Sequence, residues 1–473
     1  MAQPSGHKDR LSVIDNSFLA QEKESAHMHV GGLMVFDGPP VDYLDLVEHI
    51  EARLHLVPRY RQRLARPRFE MGRPLWVDDP SFNIHYHVRH SALPAPGSDE
   101  ELRALLGRIF SQRLDRSKPL WELWLVEGLS ERRFALVSKT HHSLIDGVAG
   151  VDILGVLLDV TPTPREVPPP DEPWEPQPAP SDVELLADGV RDALRAPVGL
   201  ASRALSALGK PRETIERARE SAEGLGEVAW ATLNAAPETP LNQPIGPHRR
   251  LREVAFALDD FKAIKNEYGG TVNDVVLAVV SGALRRWLRT RGIRTEGLEL
   301  RALVPVSVRT EDEHYRFGNR IAAMRGPLPV YAEDPIERLR IVSEGMRGLK
   351  DSKQALGAEV IAGIQNFAPP TLLAMASRLN FSTRLFNLIV TNVPGPQFPL
   401  YLLGRELEEL VPIAFLPTDH ALAIAIMSYN GRLEFGLLGD YDAMPDMDAF
   451  ASYLEDAVAE LRPRARVKEQ EHV

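Results

Sequence analysis

Between Pro162 and Pro180 the sequence carries nine prolines in 19 residues (PTPREVPPPDEPWEPQPAP). Proline has no backbone N–H and a locked φ, so this stretch can hold neither a helix interior nor a central strand. It reads as a linker that divides the chain. At 473 residues the chain is also too long for one ordinary hydrophobic core. The expected organisation is a first domain over 1–160, a Pro-rich linker with a helical insert over 161–245, and a second domain over 246–473.

Both outer parts alternate strand-like and helical patterns. His29 to Phe36 (HVGGLMVF) and Arg133 to Thr140 (RFALVSKT) read as strands. Val41 to Leu56 places Leu44, Val47, Ile50 and Leu54 near helical spacing, and Asp146 to Val160 does the same with Val148, Val151, Leu154 and Leu158. Residues 182–235 read as mainly helical, interrupted by Pro197 and Pro211. Val183, Leu186, Val190 and Leu194 give that insert a face that either packs on the domains or meets a lipid surface. The alternation resumes near Leu251, so the fold class is α/β in two units.

Composition removes whole classes of function. A net charge of −11 argues against nucleic acid as partner, because phosphate binding needs a basic surface. The absence of cysteine excludes disulfides, Cys-based zinc sites and a Cys acyl-enzyme. No signal peptide is evident, and no run of about 18 apolar residues predicts a membrane span. The expected setting is cytoplasmic, with any contact to membranes or lipid inclusions peripheral.

The sharpest chemical feature is His141-His142-Ser143-Leu144-Ile145-Asp146-Gly147, an HHxxxDG pattern between a strand and a helix. Side chains alternate across a strand, so the two imidazoles should part, one toward a channel and one into the interior. Near neutral pH an imidazole is suited to remove a hydroxyl proton. Asp146 sits where it caps the following helix or pairs with an arginine, and Gly147 permits close packing. The bland alternative is two buried, hydrogen-bonded histidines. A metal site lacks a third converging ligand.

HHSLIDG in this context resembles the coenzyme A-dependent acyltransferase superfamily, which includes chloramphenicol acetyltransferase and peptide-synthetase condensation domains. An ordered set of further motifs narrows the likeness. They are SVIDNSFLAQEKESAHMHVGG near the start, Pro119-Leu120-Trp121, LNQPIGPHRR, Asn273-Asp274, RALVPVSVR followed by Phe317-Gly318-Asn319, and Asn392 to Pro396 (NVPGP). Together they are similar to the bacterial wax ester synthase/diacylglycerol acyltransferase family over nearly the whole chain. The resemblance implies two chloramphenicol acetyltransferase-like domains with mixed sheets flanked by helices, and an active-site tunnel between them. It implies His142 as general base, acyl-CoA as donor, a fatty alcohol or diacylglycerol as acceptor, and no cofactor. Two rivals are an acyltransferase of this fold with another alcohol or amine acceptor, and a non-catalytic lipid-body protein on the same scaffold.

The other motifs carry structural readings beside functional ones. Thr271 to Asp274 fits a capping box, which explains Thr271 and Asp274 but not Asn273. The family places its Asn-Asp pair near the active site, so Asn273 is a candidate oxyanion donor and Asp274 a candidate substrate contact. Pro119, Leu120 and Trp121 read as core and turn residues compatible with lining the acyl tunnel. Phe386 to Thr391 reads as a strand leading into a type II turn at Pro394-Gly395, with Asn392 near the channel. Seven arginines between Arg53 and Arg73 form either a solvated face or an attractor for coenzyme A or lipid phosphates. Gly357 to Pro369 resembles the part of the family that shapes the acceptor side, so enlarging Ala362 or Gly363 is expected to shift alcohol preference.

Overall fold

A computed structural model describes residues 10–66, 74–144, 153–181, 183–184, 235–307, 321–351 and 381–469. The expectations for Asp146, Gly147, Ala362, Gly363, the Phe317–Asn319 motif and nearly all of the helical insert fall outside these residues.

Two six-stranded mixed sheets organise the chain. The first runs β11-β12-β1-β6-β5-β4, built from β1 (His29–Phe36), β4 (Val88–Ala92), β5 (Trp121–Glu127), β6 (Phe134–His141), β11 (Tyr401–Leu402) and β12 (Arg405–Ile413). The second runs β7-β14-β13-β10-β8-β9, from β7 (Arg249–Ala257), β8 (Leu300–Ser307), β9 (Ile321–Leu328), β10 (Leu388–Pro394), β13 (Leu422–Tyr429) and β14 (Arg432–Asp440). A short hairpin, β2 (Gln62–Ala65) with β3 (Leu75–Asp78), stands apart. β12 pairs antiparallel with β1, so the part of the chain after residue 246 contributes to both sheets.

Side-chain alternation assigns each strand face to a different core. On β1, Met34 and Phe36 join one cluster while Leu33 and Val35 join another; on β6, Phe134 and Leu136 part from Ala135 and Val137 in the same way. The cluster holding Leu33, Val35, Ala135 and Val137 also holds Ile389, Ala423, Ala425 and Leu438 from the second sheet. The two sheets therefore share one apolar junction. Gly31 is required there: a Cβ would fall 1.9 Å from the Ser138 carbonyl oxygen and 2.9 Å from the Phe110 ring.

The helices follow their sequence signals. α1 (Val13–Gln21) is capped by Ser12 and α2 (Tyr43–Glu51) by Asp42. α2 ends sooner than the apolar spacing predicted, with 3-10 turns at Leu54–Leu56 and Pro58–Arg61. Pro58 accounts for the break at Val57, the residue before it, which leaves the helical region between the two turns. α3 (Ile84–His87), α4 (Asp99–Ser111) and α5 (Ile153–Leu157) complete the first half. The second half has α6 (Leu258–Tyr268), α7 (Val272–Thr290), α8 (Pro335–Asp351) and α9 (Met447–Glu469). α7 begins with the predicted capping box and runs through the core of that half, with Val275, Val276, Val279, Ala283, Leu284 and Trp287 all buried. None of the described helices is long and apolar enough to cross a membrane.

Two sequence features gain surroundings in the fold. The Pro-rich segment holds neither helix nor strand, but it is docked rather than free. Trp174 lies under the Arg61 guanidinium at 4.5 Å and edge-on to Phe82, the Gln177 amide donates to Asp78, and Arg53 donates to the Arg165 carbonyl. Among the described arginines of the cluster, four do not form a plain solvated face. Arg53 is buried, Arg59 packs on Trp76, Arg61 on Trp174, and Arg63 faces Asp79 at 3.8 Å. These guanidiniums serve as packing surfaces for aromatic rings and as donors to backbone.

Candidate active site

β6 ends at His141, and a 3-10 turn takes over at His142. His142 keeps one bond to the neighbouring strand region, its N–H donating to the Met28 carbonyl at 2.8 Å. The turn sends the two imidazoles to different surroundings.

His141 is 1% exposed. The Ser143 N–H donates to its Nδ1 at 3.1 Å, and the Ser143 hydroxyl lies 2.7 Å from the same nitrogen. With Nδ1 accepting, the proton belongs on Nε2, which faces the Glu22 carboxylate at 3.7 Å. Burial lowers the His141 pKa, against the opposing pull of Glu22, so the ring is neutral near pH 7.

Glu22 was missed in the sequence because nothing in its spacing marks it. It follows α1 directly, and its side chain is 1% exposed. Burial works to raise its pKa. The rings of His141 and His29 and the Arg116 guanidinium overcome this and hold the carboxyl far below the usual range. Arg116 Nε donates to Glu22 at 2.6 Å, with Arg113 at 3.6 Å and His29 at 3.5 Å. Beside this group, buried Lys139 donates to the carbonyls of Ile109 and Gln112, closing the C-terminal end of α4; burial pushes its ammonium down to about 8. A shallow cavity of about 460 Å³, lined in part by Arg89, Arg113, Arg116 and Glu122, opens beside these residues. None of His142, Asn273 and Asn392 lines it.

Among the described residues His142 has no charged side chain paired with it. Its ring stacks on Phe18 at 4.0 Å with the planes 23° apart, and meets Phe415 edge-on at 5.6 Å. Phe18, Phe381 and Phe415 in turn contact one another at 5.8–6.0 Å. Nδ1 is buried without a hydrogen-bond partner. Burial lowers the imidazole to about 4, with a smaller push from His141, while its own backbone carbonyl works the other way. The ring is neutral and half-buried at the apolar junction of the two sheets.

The second half brings two asparagines together. Asn273 lies in the first turn of α7 and Asn392 on β10, and the Asn392 amide reaches Asn273 Oδ1 at 3.5 Å. Asp274 is occupied by its cap, its carboxylate accepting from the Thr271 N–H at 2.8 Å. Pro119, Leu120 and Trp121 are buried. Trp121 stacks on His87 at 4.6 Å and donates its indole N–H to the Tyr60 carbonyl. These three residues hold β5 in the core. The predicted strand is shifted to Leu388–Pro394, and no type II turn follows it. Gly395 does not adopt positive φ; instead the Ser428 carbonyl oxygen would lie 2.3 Å from its Cβ, so close backbone approach is what requires glycine.

Comparison with known proteins agrees with this architecture. Residues 11–276 match the wax ester synthase/diacylglycerol acyltransferase catalytic domain, and residues 317–462 match the WS/DGAT C-terminal domain. The chain is 34% identical to a Mycobacterium tuberculosis protein named "probable diacyglycerol O-acyltransferase tgs1", over 96% of each chain. The wax ester synthase/diacylglycerol acyltransferase of Marinobacter aquaeolei VT8 superposes with a TM-score of 0.68 at 30% identity, covering 96% of this chain and 99% of that one. The first condensation domain of the CDA synthetase shares the fold alone, at 16% identity and a TM-score of 0.58 over 97% of both chains. The chain belongs to the wax ester synthase/diacylglycerol acyltransferase family, and it is an acyltransferase.

Proposed function

We propose that this protein transfers the acyl chain of a coenzyme A thioester to the hydroxyl of diacylglycerol or a long-chain alcohol, with His142 as general base and no covalent acyl-enzyme. The observation that carries the assignment is the state of His142: neutral, half-buried among phenylalanines from both halves, and without an ion pair among the described residues. Such a ring can take a proton in an environment that also accepts apolar chains.

The imidazole removes the hydroxyl proton as the oxygen attacks the thioester carbonyl. The C–O bond forms, the tetrahedral intermediate collapses, and the C–S bond breaks. The thiolate leaves as coenzyme A and takes the proton back from the imidazolium. The products are one ester and one free thiol, and no metal or prosthetic group is needed. Asn273 supplies the oxyanion donor. Because its Oδ1 accepts from Asn392, its amide N–H groups are left to donate. Peripheral contact with a lipid surface follows from the acceptors, and exposed Val393 and Phe398, just beyond Asn392, suit such contact.

Thiol release from a long-chain acyl-CoA, followed with hexadecanol, with dipalmitoylglycerol and with neither, tests this function. Release that requires an acceptor, without a stoichiometric burst in its absence, is the expected result. A burst equal to the enzyme concentration without acceptor indicates an acyl-enzyme and contradicts direct transfer.

A further inference from the structure

Among the described residues, no other side chain hydrogen-bonds the Nδ1 of His142 to set its orientation. A catalytic histidine is commonly held by a hydrogen bond on the nitrogen remote from the chemistry. Here Nδ1 is buried, and among the described residues the polar influences on the residue are its backbone N–H on the Met28 carbonyl and the pull of its own backbone carbonyl on the ring. What touches the ring is aromatic: Phe18 lies nearly flat against it at 4.0 Å, while Phe415 is perpendicular at 89°.

Phe18 is itself firmly placed. It is 8% exposed on α1, and Glu22 follows it by four residues, about one helical turn. Glu22 is tied to Arg116 and faces His141. One short element thus reaches both histidines, with an aromatic face for the second and a carboxylate for the first. The ionisable group that bears on His142 is His141, and Glu22 lies against His141.

We propose that Phe18 is a positioning residue for the general base: its stacked ring fixes the imidazole plane of His142, where among the described residues no other side chain hydrogen-bonds Nδ1. This rests on His142 being the base. Phe18 need not touch either substrate. Its loss leaves acyl-CoA binding in place and misaligns proton removal, so the effect falls on kcat rather than KM.

The test is steady-state kinetics on the full-length chain carrying Phe18→Leu, Phe18→Tyr or His142→Gln, each checked for folding by near-UV circular dichroism. Leucine keeps the apolar volume and removes the flat face; tyrosine keeps the face. The expected result for Phe18→Leu is a fall in kcat of about tenfold or more with KM for acyl-CoA within about twofold. Phe18→Tyr should restore most of the loss. Should Phe18→Leu fail to fold, Phe18→Met makes the same comparison. Parental kcat in a folded Leu or Met variant, while His142→Gln is inactive, overturns the inference and leaves the base assignment standing. So does a loss that tyrosine does not rescue. Parental turnover in His142→Gln overturns both.

Discussion

The Asn392 side-chain amide lies 3.5 Å from Asn273 Oδ1, joining β10 to the first turn of α7 across 119 positions of sequence. The contact occupies the Asn273 carbonyl oxygen and leaves the carboxamide its two N–H donors, which the proposed oxyanion role uses. Replacing Asn273 by alanine is expected to lower kcat by about 10²–10³. Asn392→Ala acts through orientation and should cost less. Because both act on one donor, the double variant should be no slower than Asn273→Ala alone, a non-additivity that kinetics on the four proteins measures directly.

Glu22→Gln should lower stability by about 3 kcal/mol at pH 7, since it removes the buried carboxylate facing Arg116, His29 and His141. The folded carboxyl is held below its ordinary pKa, so the unfolded chain binds the proton first as pH falls. The parent's advantage is therefore complete above the usual carboxyl pKa and shrinks below it. Urea unfolding at pH 7 and pH 4 should show the gap between parent and variant narrowing at the lower pH.

Activity should persist to unusually low pH for a histidine base. Burial holds His142 near a pKa of about 4, so the neutral ring prevails well below the ordinary histidine value. The acid limb of kcat/KM is expected below pH 5. Acid stability runs the other way. His87 and His142 both sit near 4 when folded, so between about 6.5 and 4 the unfolded chain binds more protons and stability falls as pH falls. Profiles taken with circular dichroism at each pH separate the two effects.

Trp121→Ala should behave as a core deletion. The ring is 1% exposed and packed on His87 and Tyr60. A loss of about 3–5 kcal/mol in chemical denaturation is expected. If Trp121 also lines the acyl path, a Trp121→Phe variant, which keeps an aromatic ring but is smaller, will change chain-length preference; an unchanged profile assigns it to packing alone.

Much of this was legible because it is local. HVGGLMVF marks β1 to the residue, and Thr271 and Asp274 announce their capping box. The histidine pair was visible as a motif at the end of a strand, but not which ring would be held by Ser143 and which by Phe18. That division depends on α1, more than a hundred positions away in sequence. Glu22 carries no local signature, and its importance arises only when Arg116, His29 and His141 converge on it. The docking of Trp174 between Arg61 and Phe82 was hidden for the same reason. Proline content specifies what a segment cannot form, not what it lies against.

The most direct measurement is acceptor-dependent thiol release from palmitoyl-CoA by the parent and by His142→Ala, with folding verified for both. General-base transfer by His142 predicts a fall of about 10² or more in kcat with the fold intact. Equal turnover in the folded variant would contradict it and move the assignment to another base, with His141 the first to examine.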